Sequence, residues 1–136
     1  MKNKEQKINK LCRTSGLHCD SFVLPGRHKH LPRLLKHAPQ HIVYDDIKVR
    51  LVYFKATYDD MYTMLTRDEI ESVRIWNANT HRTTILVYNY KKWLWSLFEV
   101  DQINKMMFKT RKESIDKFLF PNDSFEWNND NVKLSL

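Results

Sequence analysis

Glycine is scarce in this chain of 136 residues, which contains only Gly16 and Gly26. A Walker-type phosphate loop needs a glycine five residues before a Gly-Lys pair, and here Arg27 follows Gly26. A dinucleotide fingerprint needs three closely spaced glycines, and a Gly-x-Ser-x-Gly nucleophile elbow needs two. The sequence therefore excludes P-loop nucleotide hydrolysis, Rossmann-type dinucleotide binding and the elbow of the α/β-hydrolases.

Long apolar runs and cysteines are also scarce. Uninterrupted apolar runs such as 85–88 are far shorter than the about 20 residues that cross a bilayer. The lysine-rich N-terminus is not followed by an apolar stretch, so no secretory signal is predicted. We therefore expect a cytoplasmic protein in which the two cysteines, Cys12 and Cys19, are free thiols or metal ligands rather than a disulfide.

The positive charge of the chain is confined to its first third. Residues 1–41 hold nine Lys and Arg and two Asp and Glu, which accounts for the whole net charge of +7, whereas residues 42–136 hold 14 of each sign. Five of the six histidines lie in 1–41, but Phe22 is the only one of the 17 aromatic residues there. Because such a segment can bury little surface, we predict a basic, histidine-rich arm at 1–41, an α+β domain at 42–120 and a polar tail at 121–136.

Hydrophobic periodicity and turn residues predict the secondary structure of the body. Thr66-x-x-Glu69 and Thr110-x-x-Glu113 have the spacing of helix capping boxes. The predicted strands are 42–56, 73–76, 83–90 and 93–100, with a hairpin loop at 77–81 and a turn at 89–92. The predicted helices are 57–65, a helix that begins at Asp101 and a helix that runs from the second capping box to Pro121. The expected fold is therefore α+β, an antiparallel sheet of about four strands with C-terminal helices.

Charge and aromatic content favour a nucleic-acid-binding protein without enzymatic activity. A cationic arm that meets phosphates releases condensed counterions, and exposed aromatic rings on a sheet can stack on bases. The expected partner is RNA or DNA, with no membrane and no cofactor. The residues predicted to contact nucleic acid are Arg27, Lys29, Arg33, Lys36, Arg74, Lys91 and Lys92.

Three other functions are compatible with the same residues. A small interaction or regulatory module would use the arm to bind an acidic protein, because charge reports the sign of a partner and not its identity. A small metal-independent ribonuclease could use His81 and Arg82 at the predicted loop as base and phosphate-stabilising cation. A zinc site could use Cys12, Cys19 and the arm histidines, but the cysteines are seven residues apart, so no metal is predicted.

Overall fold

The structure is a computed structural model that describes residues 2–21 and 37–136, with side chains from residue 7 onward in the first range. In chain order the elements are α1 (Lys2–Ser15), β1 (His18–Ser21), β2 (His41–Tyr44), β3 (Val49–Thr57), β4 (Tyr62–Thr66), α2 (Arg67–Asn79), β5 (Thr83–Asn89), β6 (Leu94–Glu99), α3 (Val100–Met106), β7 (Arg111–Ser114) and β8 (Lys117–Pro121). Short 3₁₀ turns lie at Met107–Lys109 and Asn122–Ser124.

The main sheet has five strands in the order β1-β2-β3-β5-β6. Strands β3 and β5 are parallel, and the other pairs are antiparallel. A parallel pair cannot be joined by a tight turn, so the chain crosses from β3 to β5 through β4 and α2. A second sheet of three strands has the order β4-β8-β7, in which β7 is an edge strand.

Each face of the main sheet packs against its own hydrophobic core. Along β3, Val52 and Phe54 belong to a core that α1 covers, whereas Tyr53 packs against a core on the side of α2. This division follows from the alternation of side chains along a strand. All seven residues of β5 are buried, because that strand is covered on both faces.

The fold class is α+β as predicted, but the sheet and the helices differ from the expectation. The main sheet has five strands and one parallel pair, and α1 precedes every strand. The predicted strand at 73–76 and hairpin loop at 77–81 are wrong, because α2 continues to Asn79. The capping box that starts this helix is confirmed: Thr66 Oγ1 accepts from the Glu69 backbone N–H at 3.2 Å, and the Glu69 carboxylate accepts from the Thr66 N–H at 2.9 Å.

Two further helix predictions are wrong for local reasons. In the predicted helix 57–65, the Asp59 carboxylate accepts backbone N–H bonds from Met61 and Tyr62 and so forms a turn that leads into β4. In the segment after Thr110-x-x-Glu113, every second side chain is buried, at Phe118 and Phe120, so this segment forms the β7–β8 hairpin. By contrast, the predicted turn between β5 and β6 and the helix near Asp101, here α3, are present.

The described parts of both chain ends contact the body. Helix α1 buries Ile8, Leu11 and Cys12 in the first core, and β1 pairs with β2. Leu134 is buried in the same core, and Lys7 Nζ lies 3.3 Å from a carboxylate oxygen of Asp130. None of the helices in the described ranges is long and apolar enough to span a membrane.

Candidate functional site

A run of exposed positive charge lies along α3, the 3₁₀ turn that follows it and β7. Lys105, Lys109, Arg111 and Lys112 are all exposed, and no acidic residue interrupts this stretch of eight residues. None of the four forms an ion pair with another described residue. We call residues 105–112 the basic ridge.

An exposed aromatic ring stands among these cations. Phe108 is 79% exposed, and the Lys109 ammonium lies 5.6 Å from the centre of its ring. Phe108 lies in the short turn Met107–Lys109, which ends at Thr110, whose hydroxyl donates to the Met107 carbonyl at 2.9 Å. Strand β7 then continues along the edge of the small sheet with all four residues exposed. A surface of this kind offers charge for phosphates and an apolar ring beside it.

Of the residues predicted to contact nucleic acid, the three that the structure describes lie on two different elements. Arg74 lies on α2 and donates to the Asn104 side chain of α3 at 2.8 Å, beside the basic ridge. Lys91 and Lys92 lie in the β5–β6 turn, where the Lys91 ammonium pairs with the Asp60 carboxylate at 2.7 Å and Lys92 donates to the Asp60 carbonyl at 3.3 Å. The other four predicted contacts lie outside the described residues: Arg27, Lys29, Arg33 and Lys36.

The predicted aromatic sheet face is not available for stacking. Tyr88 and Trp95 are buried in the core under α1, and the Trp95 indole donates to the Asn129 carbonyl at 3.0 Å. Trp93, the first residue of the strand predicted at 93–100, precedes β6 and is exposed in the turn. The exposed aromatic rings of this region therefore lie at the end of the sheet and not on its face.

A buried polar network joins β3 to the start of α2. The Glu69 carboxylate is 5% exposed and accepts from the Lys55 ammonium at 2.6 Å on one oxygen and from the Tyr53 hydroxyl at 2.8 Å on the other. His37 Nδ1 lies 3.4 Å from the same hydroxyl. We call these residues the Lys55–Glu69 network. Glu69 is predicted from the sequence as a capping residue, whereas Lys55 and Tyr53 are not predicted as its partners; their spacing of two on one strand is the signal that they share a face.

The electrostatics of this network stabilise its charged form. Burial by itself would raise the pKa of Glu69, but the Lys55 ammonium and the donated hydrogen bonds hold that pKa below its ordinary value. Burial, together with the Glu69 charge, raises the pKa of Tyr53, which therefore stays a neutral hydrogen-bond donor. Because both Glu69 oxygens already accept hydrogen bonds, the network acts first as a structural connection between strand and helix.

The loop residues considered for a ribonuclease, His81 and Arg82, follow the end of α2. His81 is exposed after the end of α2, and its carbonyl accepts from the Thr83 hydroxyl at 2.8 Å. Arg82 pairs with the Glu99 carboxylate at 3.0 Å, and the same carboxylate accepts from the buried Arg50 at 2.6 Å. The Arg82 guanidinium is therefore engaged in an ion pair at the sheet edge.

The two cysteines are free thiols that contact each other. The Cys12 thiol donates to Cys19, and this bond, with a further contribution from His41, lowers the pKa of Cys19 to about 5 in spite of partial burial. The same hydrogen bond, together with burial, raises the pKa of Cys12. Across residues 2–21 and 37–136, no group of three or more His, Cys, Asp and Glu side chains is placed to hold a metal ion.

We expect the two thiols to differ strongly in reactivity. Iodoacetamide at neutral pH should modify Cys19 much faster than Cys12, because thiolates are the reactive form and Cys12 is only 1% exposed. The Cys19 rate should be nearly constant between pH 6 and 8, above its pKa of about 5. Mass spectrometry of the labelled peptides, with Cys19→Ser as the control, measures both rates. Equal rates, or a Cys19 rate that rises tenfold per pH unit, would contradict the thiolate assignment.

Comparison with known proteins identifies a similar fold. No family model matches the chain, and no curated protein matches it. Among solved structures, the chain is similar to Hjc from Archaeoglobus fulgidus, a Holliday junction resolvase from an archaeal hyperthermophile, with a TM-score of 0.61 and 10% sequence identity. The match covers 91% of this chain and 85% of that chain. At this identity the likeness shows a shared α+β architecture and nothing about shared chemistry.

Proposed function

We propose that this chain is a nucleic-acid-binding protein whose basic ridge contacts the phosphate backbone. The observation that carries the proposal is the run of four exposed cations at 105–112, which has no ion-pair partner among the described residues and includes Lys109 beside the exposed ring of Phe108. Cations that are already neutralised by carboxylates gain little from a phosphate, whereas free cations release the counterions condensed on the nucleic acid.

Two other observations support this assignment. Arg74, bonded to Asn104 next to the ridge, extends the positive surface onto α2. The fold is also similar to that of a protein described as a Holliday junction resolvase, so this architecture is known in a protein that acts on nucleic acid. The arm cations Arg27, Lys29 and Arg33, with Lys36, remain proposed phosphate contacts on the basis of sequence. Lys91 is a weaker candidate because Asp60 neutralises it.

Removal of the ridge charges should reduce the salt dependence of binding. Replacing Lys105, Lys109, Arg111 and Lys112 with Ala should flatten the slope of log K against log salt by up to about 3.6, since each lost phosphate contact accounts for about 0.7–0.9. Titrations of labelled duplex DNA and single-stranded RNA over a salt series measure the slope. The matched control replaces four exposed cations that lie elsewhere: Lys10, Arg13, Lys48 and Lys133.

The outcomes distinguish the possible binding surfaces. A ridge variant with an unchanged slope would contradict the proposal, as would a control variant that loses as much. If only the replacement of Arg27, Lys29, Arg33 and Lys36 flattens the slope, the arm and not the ridge is the binding surface. If the wild-type protein binds no nucleic acid at low salt, the interaction module that binds an acidic protein becomes the better assignment.

Cleavage of nucleic acid is the alternative that the comparison raises. We expect binding without cleavage, because both oxygens of Glu69 are held by protein donors and Arg82 is paired with Glu99. The test is incubation of the wild-type protein with a four-way DNA junction and with RNA, with and without Mg²⁺. Cleavage that disappears in Glu69→Gln would assign catalysis to the Lys55–Glu69 network, and cleavage that disappears in His81→Ala would assign it to the α2–β5 loop.

A further inference from the structure

The turn between β5 and β6 holds a tryptophan at a position where hairpins favour glycine or asparagine. Trp93 has a φ of +57°, and it is the one non-glycine residue with positive φ in the described ranges. A left-handed backbone is uncommon for a bulky side chain and costs conformational energy. Burial does not offset that cost, because the side chain is 59% exposed. A strained and exposed tryptophan is therefore a candidate for a ligand-binding residue.

Trp93 is part of a cluster of aromatic rings at this end of the sheet. Its ring meets that of Tyr90 edge to face, with centroids 6.2 Å apart. The Tyr90 ring in turn stacks on Tyr58 at 5.6 Å and an interplanar angle of 24°. Tyr58 is 67% exposed. We call Tyr58, Tyr90 and Trp93 the aromatic platform. Tyr58 and Trp93 expose ring surface to solvent, and the partly buried ring of Tyr90 contacts both of them.

The charges around the platform nearly balance. Lys7 Nζ lies 5.2 Å from the centre of the Trp93 ring, and Lys91 and Lys92 are in the same turn. Asp130 pairs with Lys7, and Asp60 pairs with Lys91. Two of the three cations beside the platform are therefore neutralised by carboxylates, and Lys92 donates only to the Asp60 carbonyl, so what the platform chiefly offers a ligand is stacking surface.

We infer that the aromatic platform binds an unpaired nucleobase by stacking, so that the protein prefers single-stranded nucleic acid to duplex. The inference rests on the proposed function and adds the strandedness of the target. Bases in a duplex are already stacked on their neighbours, whereas unpaired bases can stack on exposed aromatic rings. In this arrangement the basic ridge contacts phosphates and the platform contacts bases.

The test compares three probes that separate base contacts from phosphate contacts. These are an oligothymidine, an abasic oligonucleotide of the same length and a duplex. We expect Trp93→Asn to weaken oligothymidine binding about tenfold, the loss of roughly one stack, and to leave the abasic and duplex affinities unchanged. The melting temperature of Trp93→Asn should not fall, since asparagine tolerates the left-handed backbone. A loss of oligothymidine affinity without a fall in melting temperature would show that Trp93 acts in binding and not in folding.

Two variants serve as controls. Trp93→Tyr keeps a ring and should retain most of the affinity, whereas Ile47→Asn removes another exposed apolar side chain from a turn and should have no effect. An unchanged oligothymidine affinity in Trp93→Asn would overturn the inference. So would equal wild-type affinities for the abasic and oligothymidine probes, although phosphate binding by the ridge would still stand. A wild-type protein that binds none of the three probes would refute the proposed function itself.

Discussion

A chain that lacks residues 1–41 should fail to show a cooperative thermal transition. Helix α1 places Ile8, Leu11 and Cys12 in the core under the main sheet, where they cover the large side chains of β3, β5 and β6. Burial of each aliphatic side chain is worth roughly 1.5–3 kcal/mol, and a whole domain is stable by only about 5–15 kcal/mol. An arm at 1–41 that buries little surface, as predicted from composition, would leave residues 42–136 able to fold alone, whereas the packing of α1 gives the opposite expectation.

Point variants in α1 test whether its packing stabilises the fold without removing any part of the chain. Ile8→Ala should lower the free energy of unfolding by about 2–4 kcal/mol, because it removes a fully buried side chain from a packed core. Asn9→Ala, at the exposed neighbouring position of the same helix, should change it by less than about 0.5 kcal/mol. Circular dichroism over a urea series measures both. A cooperative melt of 42–136 at the wild-type temperature would show that the boundary predicted at residue 41 is a true domain boundary.

Breaking the Lys55–Glu69 network on one side should also be strongly destabilising. Lys55→Met leaves the Glu69 carboxylate buried without its cation and should cost about 3–5 kcal/mol. Adding Glu69→Gln to that variant should recover much of the loss, because glutamine is neutral and can still complete the capping box. Lys91→Met, which breaks an exposed ion pair with Asp60, is the matched control and should cost at most about 1 kcal/mol.

The same network predicts a direction of pH dependence. The pKa of Glu69 is held below its ordinary value of 4.5 in the folded chain, so at neutral pH its ionised form stabilises the fold. That contribution begins to be lost as the pH falls below about 4.5 and is gone below the folded pKa. The stability difference between the wild type and Glu69→Gln should therefore shrink as the pH is lowered from 7 to 3. A difference that grows on acidification would contradict the assignment.

Local features of this chain could be read from the sequence because neighbouring residues produce them. The capping box needs only Thr66 and the Glu69 three residues later, and both of its hydrogen bonds are present. The β5–β6 turn was likewise signalled by polar residues between two apolar runs. The scarcity of glycine excludes several nucleotide sites whatever the fold. Each of these inferences depends on residues that lie within a few positions of one another in the sequence.

The basic ridge and the packing of α1 also have local signals in the sequence, but averages of charge and composition over long segments conceal them. The four cations of the ridge lie within eight residues. The net charge of the whole segment 42–136 is zero, so a count over that segment does not reveal this local excess of positive charge. Helix α1 has Ile8, Leu11 and Cys12 at helical spacing, but the high charge around them favoured an unpacked arm. A count taken over a long window reports mean composition, whereas packing and binding depend on which face each residue occupies.

The tertiary structure decided what no local pattern could specify. Lys55 and Glu69 are 14 residues apart, and they meet because the chain crosses from β3 through β4 and places the start of α2 over the sheet. The parallel pairing of β3 with β5 has the same origin. Long-range contacts of this kind depend on how whole elements pack, so residue spacing alone does not encode them. The sequence by itself determined the cap of α2, the β5–β6 turn and the exclusions, and the packing of distant elements determined which charges are buried, which are paired and which face solvent.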